Sequence, residues 1–191
     1  MPASYPPHRR MLQRDLQQDL QTRTLALRDR IAALARPLDP ERLLRRPADG
    51  GWSVGHVLEH LCVTSELYEP PIRALLRNSP PDAAAALREW KPSLVGGLMV
   101  RRFENPKRMS SPRRMVPART PRGGVVERLL GHLDALQLIL ADAAGFDWRR
   151  LRMRSPVVPL FRFNLGDAFL MLVVHAERHA SQMERVAAEL R

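Results

Sequence analysis

Leucine, isoleucine and valine recur at three- and four-residue intervals through four stretches of the chain, and no stretch alternates convincingly with the two-residue period of a strand. The first helix carries Leu12, Leu16, Leu20, Leu27, Ile31 and Leu34 and stops at Pro37. Asp39-Pro40 reads as an N-cap with proline at the first helical position, opening a short turn through Leu44. The second helix starts at Ser53, whose hydroxyl can accept from a first-turn amide, with Trp52 and Val57 placed as a hydrophobic staple. It should run to about Tyr68, where Pro70-Pro71 bends or breaks it before Ile72–Leu76 resumes. A short Ala-rich turn follows at residues 83–90. Thr120-Pro121 caps a third helix containing Val126, Leu129, Leu133, Leu136 and Leu140, which ends near Gly145. Asn164, with Asp167 three residues on, caps the last helix, from Leu165 to about Leu190. The pattern predicts an all-α four-helix bundle with long irregular arms after helices two and three, as one domain over residues 11–191 behind a flexible arm at 1–10.

Charge changes the picture in one segment. The net charge is +11, and only two of the 31 cationic residues are lysines. Residues 91–122 hold nine of these cations against the single Glu104, together with five prolines and the pair Gly96-Gly97, a composition that resists regular structure. The segment is either functional or a solvated mobile loop in an arginine-biased protein. The longest apolar run is Ala168–Val174, far short of the roughly 20 residues that span a bilayer. No signal-peptide pattern opens the chain, and the lone Cys62 excludes an internal disulfide and a Cys-rich zinc module. A cytoplasmic protein without membrane association is the expectation.

Histidine supplies the candidate chemistry. Four of the six histidines form two pairs spaced by four, His56/His60 and His175/His179, a spacing that sets both imidazoles on one helix face. On the last helix, His179 lies about 40° and His175 about 80° from the centre of the buried stripe, with Glu177 pointing outward. They are either metal ligands or helix-flank histidines with local hydrogen bonds. A complete site needs a third ligand from another helix, and His60 leads. Ala176 stands where a zincin has its glutamate, which argues against metalloprotease chemistry.

Trp52-Ser53 opening a helix, His60-Leu61 after it, and His175-Ala-Glu-Arg-His179-Ala-Ser-Gln182 in the final helix resemble the DinB/YfiT-like superfamily of metalloenzymes, in this order and over residues 11 to 190. The resemblance implies a four-helix bundle that holds a divalent ion on His60, His175 and His179. Zinc suits three imidazoles and a water, with nickel as the alternative. His56 falls outside that pattern: it is a surface or ligand-supporting residue, or else a fourth ligand or proton carrier. His8 belongs to the arm, His132 to the surface of helix three, and Cys62 reads as a buried inert thiol. Glu59, Glu66 and Asp167 are weak candidates to orient the ligands.

Family members with established roles resemble bacillithiol S-transferases and mycothiol-dependent isomerases, so the resemblance implies a low-molecular-weight thiol attacking an electrophilic small molecule. Arg101, Arg102, Arg113 and Arg114 would hold carboxylates of such a cofactor. A homodimer fits the family. The alternative is a basic nucleic-acid-binding or dimerising bundle without catalysis. The pI near 11.3 favours nucleic acid, whereas the scarcity of aromatics in the arginine-rich arm and the lack of a helix-turn-helix pattern count against it.

Overall fold

The computed structural model describes residues 10–105 and 110–189, so His8, Lys107 and nearly all of the N-terminal arm lie outside the described residues. The helices are α1 (Gln13–Ala35), α2 (Pro40–Leu44), α3 (Val54–Arg77), α4 (Leu94–Glu104), α5 (Val125–Asp142) and α6 (Leu165–Glu189). Two small antiparallel pairs accompany them: β1 (Met11–Leu12) with β2 (Glu89–Trp90), and β3 (Arg152–Arg154) with β4 (Arg162–Asn164). α1 and α3 each pack against both α5 and α6, and α4 lies along α6. The chain is mostly helical, as the leucine spacing predicts.

Local chemistry explains the starts of the helices. Asp39 accepts from the Arg42 amide at 2.7 Å, and Ser53 from the His56 amide at 3.3 Å. Asn164 and Asp167 cap each other reciprocally, the Asn164 side chain accepting from the Asp167 amide and the Asp167 carboxylate from the Asn164 amide, at 2.8 and 3.0 Å. This is a capping box, with aspartate in the usual glutamate position. α5 begins at Val125, later than Thr120-Pro121 suggests. Glu59 accepts from the Arg122 amide at 3.2 Å and pins residue 122 against α3. The chain turns into the helix only at Gly124, whose φ of 64° is the left-handed conformation.

Three further features depart from the sequence pattern. α3 runs unbroken through Pro70 and Pro71, because Tyr68, Ile72 and Leu76 bury the residues on either side and hold them in register. The segment read as an irregular arm contains α4: Ser93 caps it by accepting from the Gly96 amide at 3.0 Å, and Val100 buries its inner face. Gly96 sits in this helix because a Cβ there would fall 2.5 Å from Asp167 Oδ2, so only glycine lets α4 approach the first turn of α6. The stretch around Pro156 and Pro159 joins β3 to β4 as a hairpin. An interior proline ordinarily costs a helix up to ~3 kcal/mol. Pro70 is exposed, so Pro70→Ala is expected to raise the urea midpoint by on the order of 1 kcal/mol of stability. An unchanged midpoint would mean that the surrounding packing of Ile72 and Leu76 already absorbs the cost of Pro70.

The apolar interior forms two clusters. One contains Leu16, Leu20, Tyr68, Trp148, Phe169 and Val174, and the other Leu27, Ile31, Leu58, Leu61, Leu129 and Met183. Between them along the helices lie the buried polar residues Thr24 on α1, Thr64 on α3 and His175 on α6. Thr24 and Thr64 satisfy their hydroxyls by donating to the carbonyls of Leu20 and His60, at 2.7 and 2.8 Å. The histidine chemistry sits at this polar seam.

Candidate metal centre

His60 lies in the second turn of α3, on the side facing α6. His175 and His179 lie one turn apart on α6, on the inner shoulder predicted for them. Exposures are 1% for His60, 7% for His175 and 9% for His179. The ring centroids of His60 and His175 are 5.0 Å apart, and both rings lie 4.6 Å from that of His179. One nitrogen from each ring lies within 4.8 Å of the chosen nitrogens of the other two. Among the described residues, these three form the group of His, Cys, Asp or Glu side chains spaced to hold a metal ion.

The outer partners fix what each ring presents to the centre. His60 Nδ1 is 2.6 Å from the Met115 carbonyl, which can only accept, so Nδ1 carries the proton and Nε2 carries a lone pair. His179 Nδ1 is 2.8 Å from Gln182 Oε1, and the same logic leaves its Nε2 unprotonated. His60 Nε2 and His175 Nε2 are 3.1 Å apart, while His175 Nδ1 is buried without a partner. Two nitrogens each about 2.0–2.1 Å from one zinc ion at a tetrahedral angle stand ~3.3 Å apart, so the pair is close to ligand spacing.

Burial keeps the rings neutral. It pushes the His60 imidazole below its ordinary pKa, against the opposing effect of the Met115 hydrogen bond. It pushes His175 well below, with His179, His60 and Arg178 adding to the shift, and His179 down to about 3. Neutral, lone-pair-bearing imidazoles are the form that coordinates a cation. Aromatic rings enclose the group: Trp52 is 5.0 Å from His60 and stacks towards His179 at 6.5 Å, and Phe103 of α4 is 5.1 Å from His175.

The DinB superfamily model matches residues 23–183. The chain belongs to the DinB superfamily. No curated protein and no solved structure matches it significantly.

Other side chains singled out in this DinB-superfamily chain do not reach the three rings. His56 is 5% exposed, so it is not a surface residue, and it bridges Ser53 Oγ at 2.6 Å and the Arg119 carbonyl at 2.9 Å. It ties the segment before α5 to the start of α3. His132 is only partly exposed, its side chain 20% accessible and 3.8 Å from the carboxylates of Glu66 and Glu69. Burial pushes the Cys62 thiol up to about 12, which makes it inert at neutral pH. Glu59, 1% exposed, pairs with Arg122 and Arg128 at 2.6 and 3.0 Å, and Glu66 joins the same arginines. Asp167 accepts from the amides of Ser93 and Asn164. The groups that orient the histidines are instead the Met115 carbonyl and Gln182. Gln182 stands three residues after His179 and was visible as a helical neighbour; Met115 lies 55 residues from His60 and offers only its backbone, which leaves no signal in the sequence.

The four arginines proposed for a cofactor are all exposed. Arg101 and Arg102 immediately precede Phe103, while Arg113 and Arg114 form a short 3-10 turn with Met115. Arg114 donates to the Pro156 carbonyl at 3.2 Å.

Proposed function

We propose that His60, His175 and His179 hold one divalent cation, zinc in the first instance and nickel as the alternative, in a thiol-dependent transferase or isomerase acting on an electrophilic small molecule. The observation that carries this reading is the convergence of three buried, neutral imidazoles from two helices, with the Nδ1 protons of His60 and His179 directed outward to Met115 and Gln182. The buried Nδ1 of His175 and the all-nitrogen donor set fit a borderline Lewis acid better than calcium or magnesium, which take oxygen ligands. A bound ion would supply the charge that makes a thiol or water nucleophilic at neutral pH.

The chain's own residues would do the rest. Met115 and Gln182 hold two rings in the ligating tautomer, an arrangement whose loss typically costs 10–100-fold in metal affinity. Trp52 and Phe103 exclude water from the rings and offer apolar surface to a substrate. Arg113 and Arg114, which share a turn with Met115, would hold carboxylates of a thiol cofactor.

Elemental analysis of untagged protein, with His175→Ala alongside, tests the site. Near-stoichiometric metal in the parent and its loss in the variant are expected, and equal metal in both would refute the ligand assignment. Gln182→Leu should retain the fold and weaken metal binding about 10–100-fold in a chelator competition. The thiol assignment is tested separately, by thiol consumption with model electrophiles before and after chelation.

A further inference from the structure

α4 leaves bare to water a face that a helix ordinarily covers. Leu94 is 95% exposed and Leu98 is 65% exposed, and their four-residue spacing puts them on one side, with Arg101 following on the same side. Phe103 occupies the opposite side, against His175. A third bare leucine, Leu160, 87% exposed, lies in the loop of the β3–β4 hairpin.

The hairpin adds charge to this apolar surface. Its register sets Arg154 directly opposite Arg162, and Arg152 lies two residues from Arg154 on the same face, while Met153 and Phe163 turn to the core. Like charges facing each other across paired strands repel. Among the described residues, no carboxylate lies within ion-pair distance of Arg154 or Arg162. The hairpin and α4 are neighbours: α4 packs against β4, and the Asp167 carboxylate that accepts from Ser93, beside Leu94, also feels the charge of Arg152.

We propose that this face docks on an anionic lipid surface, with the leucines entering the acyl boundary and the arginines meeting lipid phosphates. No described helix is long and apolar enough to cross a membrane, so the association is peripheral. Charge complementarity selects the occupant. A second copy of a chain with net charge +11 would set the same arginines against one another. Nucleic acid would satisfy the arginines but leave the leucines in water, whereas a bilayer with acidic headgroups satisfies both. The inference does not depend on the metal centre, which lies across α4 from the leucines.

Cosedimentation of the full chain with phosphatidylcholine vesicles, with and without phosphatidylglycerol, tests it. Binding to the acidic vesicles should exceed binding to neutral ones by more than about tenfold and weaken with salt. Leu94→Ser/Leu98→Ser should lose at least about tenfold. Arg154→Gln/Arg162→Gln should lose about thirtyfold, the equivalent of ~1 kcal/mol per basic residue. All four positions are exposed, and unchanged circular dichroism and thermal midpoint verify the fold. Equal binding to both vesicle types, absence of binding, or parent-like binding by either double variant would overturn the proposal. So would duplex DNA displacing the protein from vesicles while binding the leucine variant as tightly as the parent, because the arginines would then belong to nucleic acid.

Discussion

Metal-free protein is expected to lose stability steeply as the pH falls below about 6.5. Burial holds all three site histidines below that value in the folded chain, His179 at about 3. Between the unfolded and folded values, the unfolded chain binds protons that the folded chain refuses. Stability therefore rises with pH, and falls as the solution is acidified through 6.5 towards the folded values. Each such histidine contributes a slope of at most ~1.4 kcal/mol per pH unit, so three approach ~4 kcal/mol per unit. Against a typical net stability of about 5–15 kcal/mol, that is enough to unfold the protein within one to a few pH units. Urea midpoints in chelator between pH 7.5 and 5 measure the slope, and His175→Leu should reduce it by up to a third. A flat profile over that range would mean that the rings are far better solvated than their burial implies. Saturating metal should raise the whole profile by mass action, because an ion held by folded imidazoles has no equivalent site in the unfolded chain.

The same histidines show how much of the molecule can be read from the chain. Their four-residue spacing, and their offset from the apolar stripe of α6, placed His175 and His179 at the inner shoulder, since helix phase is a local property. The caps at Asp39, Ser53 and Asn164 were legible for the same reason: each acts within three residues. What escaped depends on contacts between distant segments. Gly96-Gly97 and the surrounding arginines look like a loop until Asp167, 71 positions on from Gly96, is seen to need the space a side chain would fill. Pro70-Pro71 looks like a break until Tyr68, Ile72 and Leu76 are seen to bury the turns on either side. Gly124 gave no sign of starting α5, because the cause is Glu59 holding Arg122. His56 reads from the chain as a surface or ligand-supporting residue, or else a fourth ligand or proton carrier, and its role shows only once Arg119, 63 positions on, is seen to meet its ring beside Ser53.

Gly166→Ala should be among the most damaging single-methyl additions to this chain, whereas the same change at Gly131 should stabilise it. Both glycines lie in helices, where alanine is intrinsically favoured by about 0.8–1.0 kcal/mol. At Gly131, a Cβ meets nothing within 4 Å, so the propensity gain stands undiminished. At Gly166, the new Cβ would fall 2.7 and 2.8 Å from Cδ1 and Cε2 of Trp90, distances that no side-chain carbon tolerates. The indole cannot retreat cheaply. It is 1% exposed, donates from Nε1 to Asn164 Oδ1 at 2.9 Å, and belongs to the β1–β2 pair that ties Met11 to Trp90. Displacing it would also disturb the Asn164–Asp167 capping box, and with it the entry to the helix that carries His175 and His179. Overpacking of this kind costs about 1–3 kcal/mol where neighbours can relax and more where they cannot, so a net loss of ~3 kcal/mol or more is expected. Chemical denaturation of the two variants reads opposite signs directly. If Gly166→Ala were as stable as the parent, Trp90 would be free to move, and the close approach of β2 to the first turn of α6 could not be what positions the histidine helix.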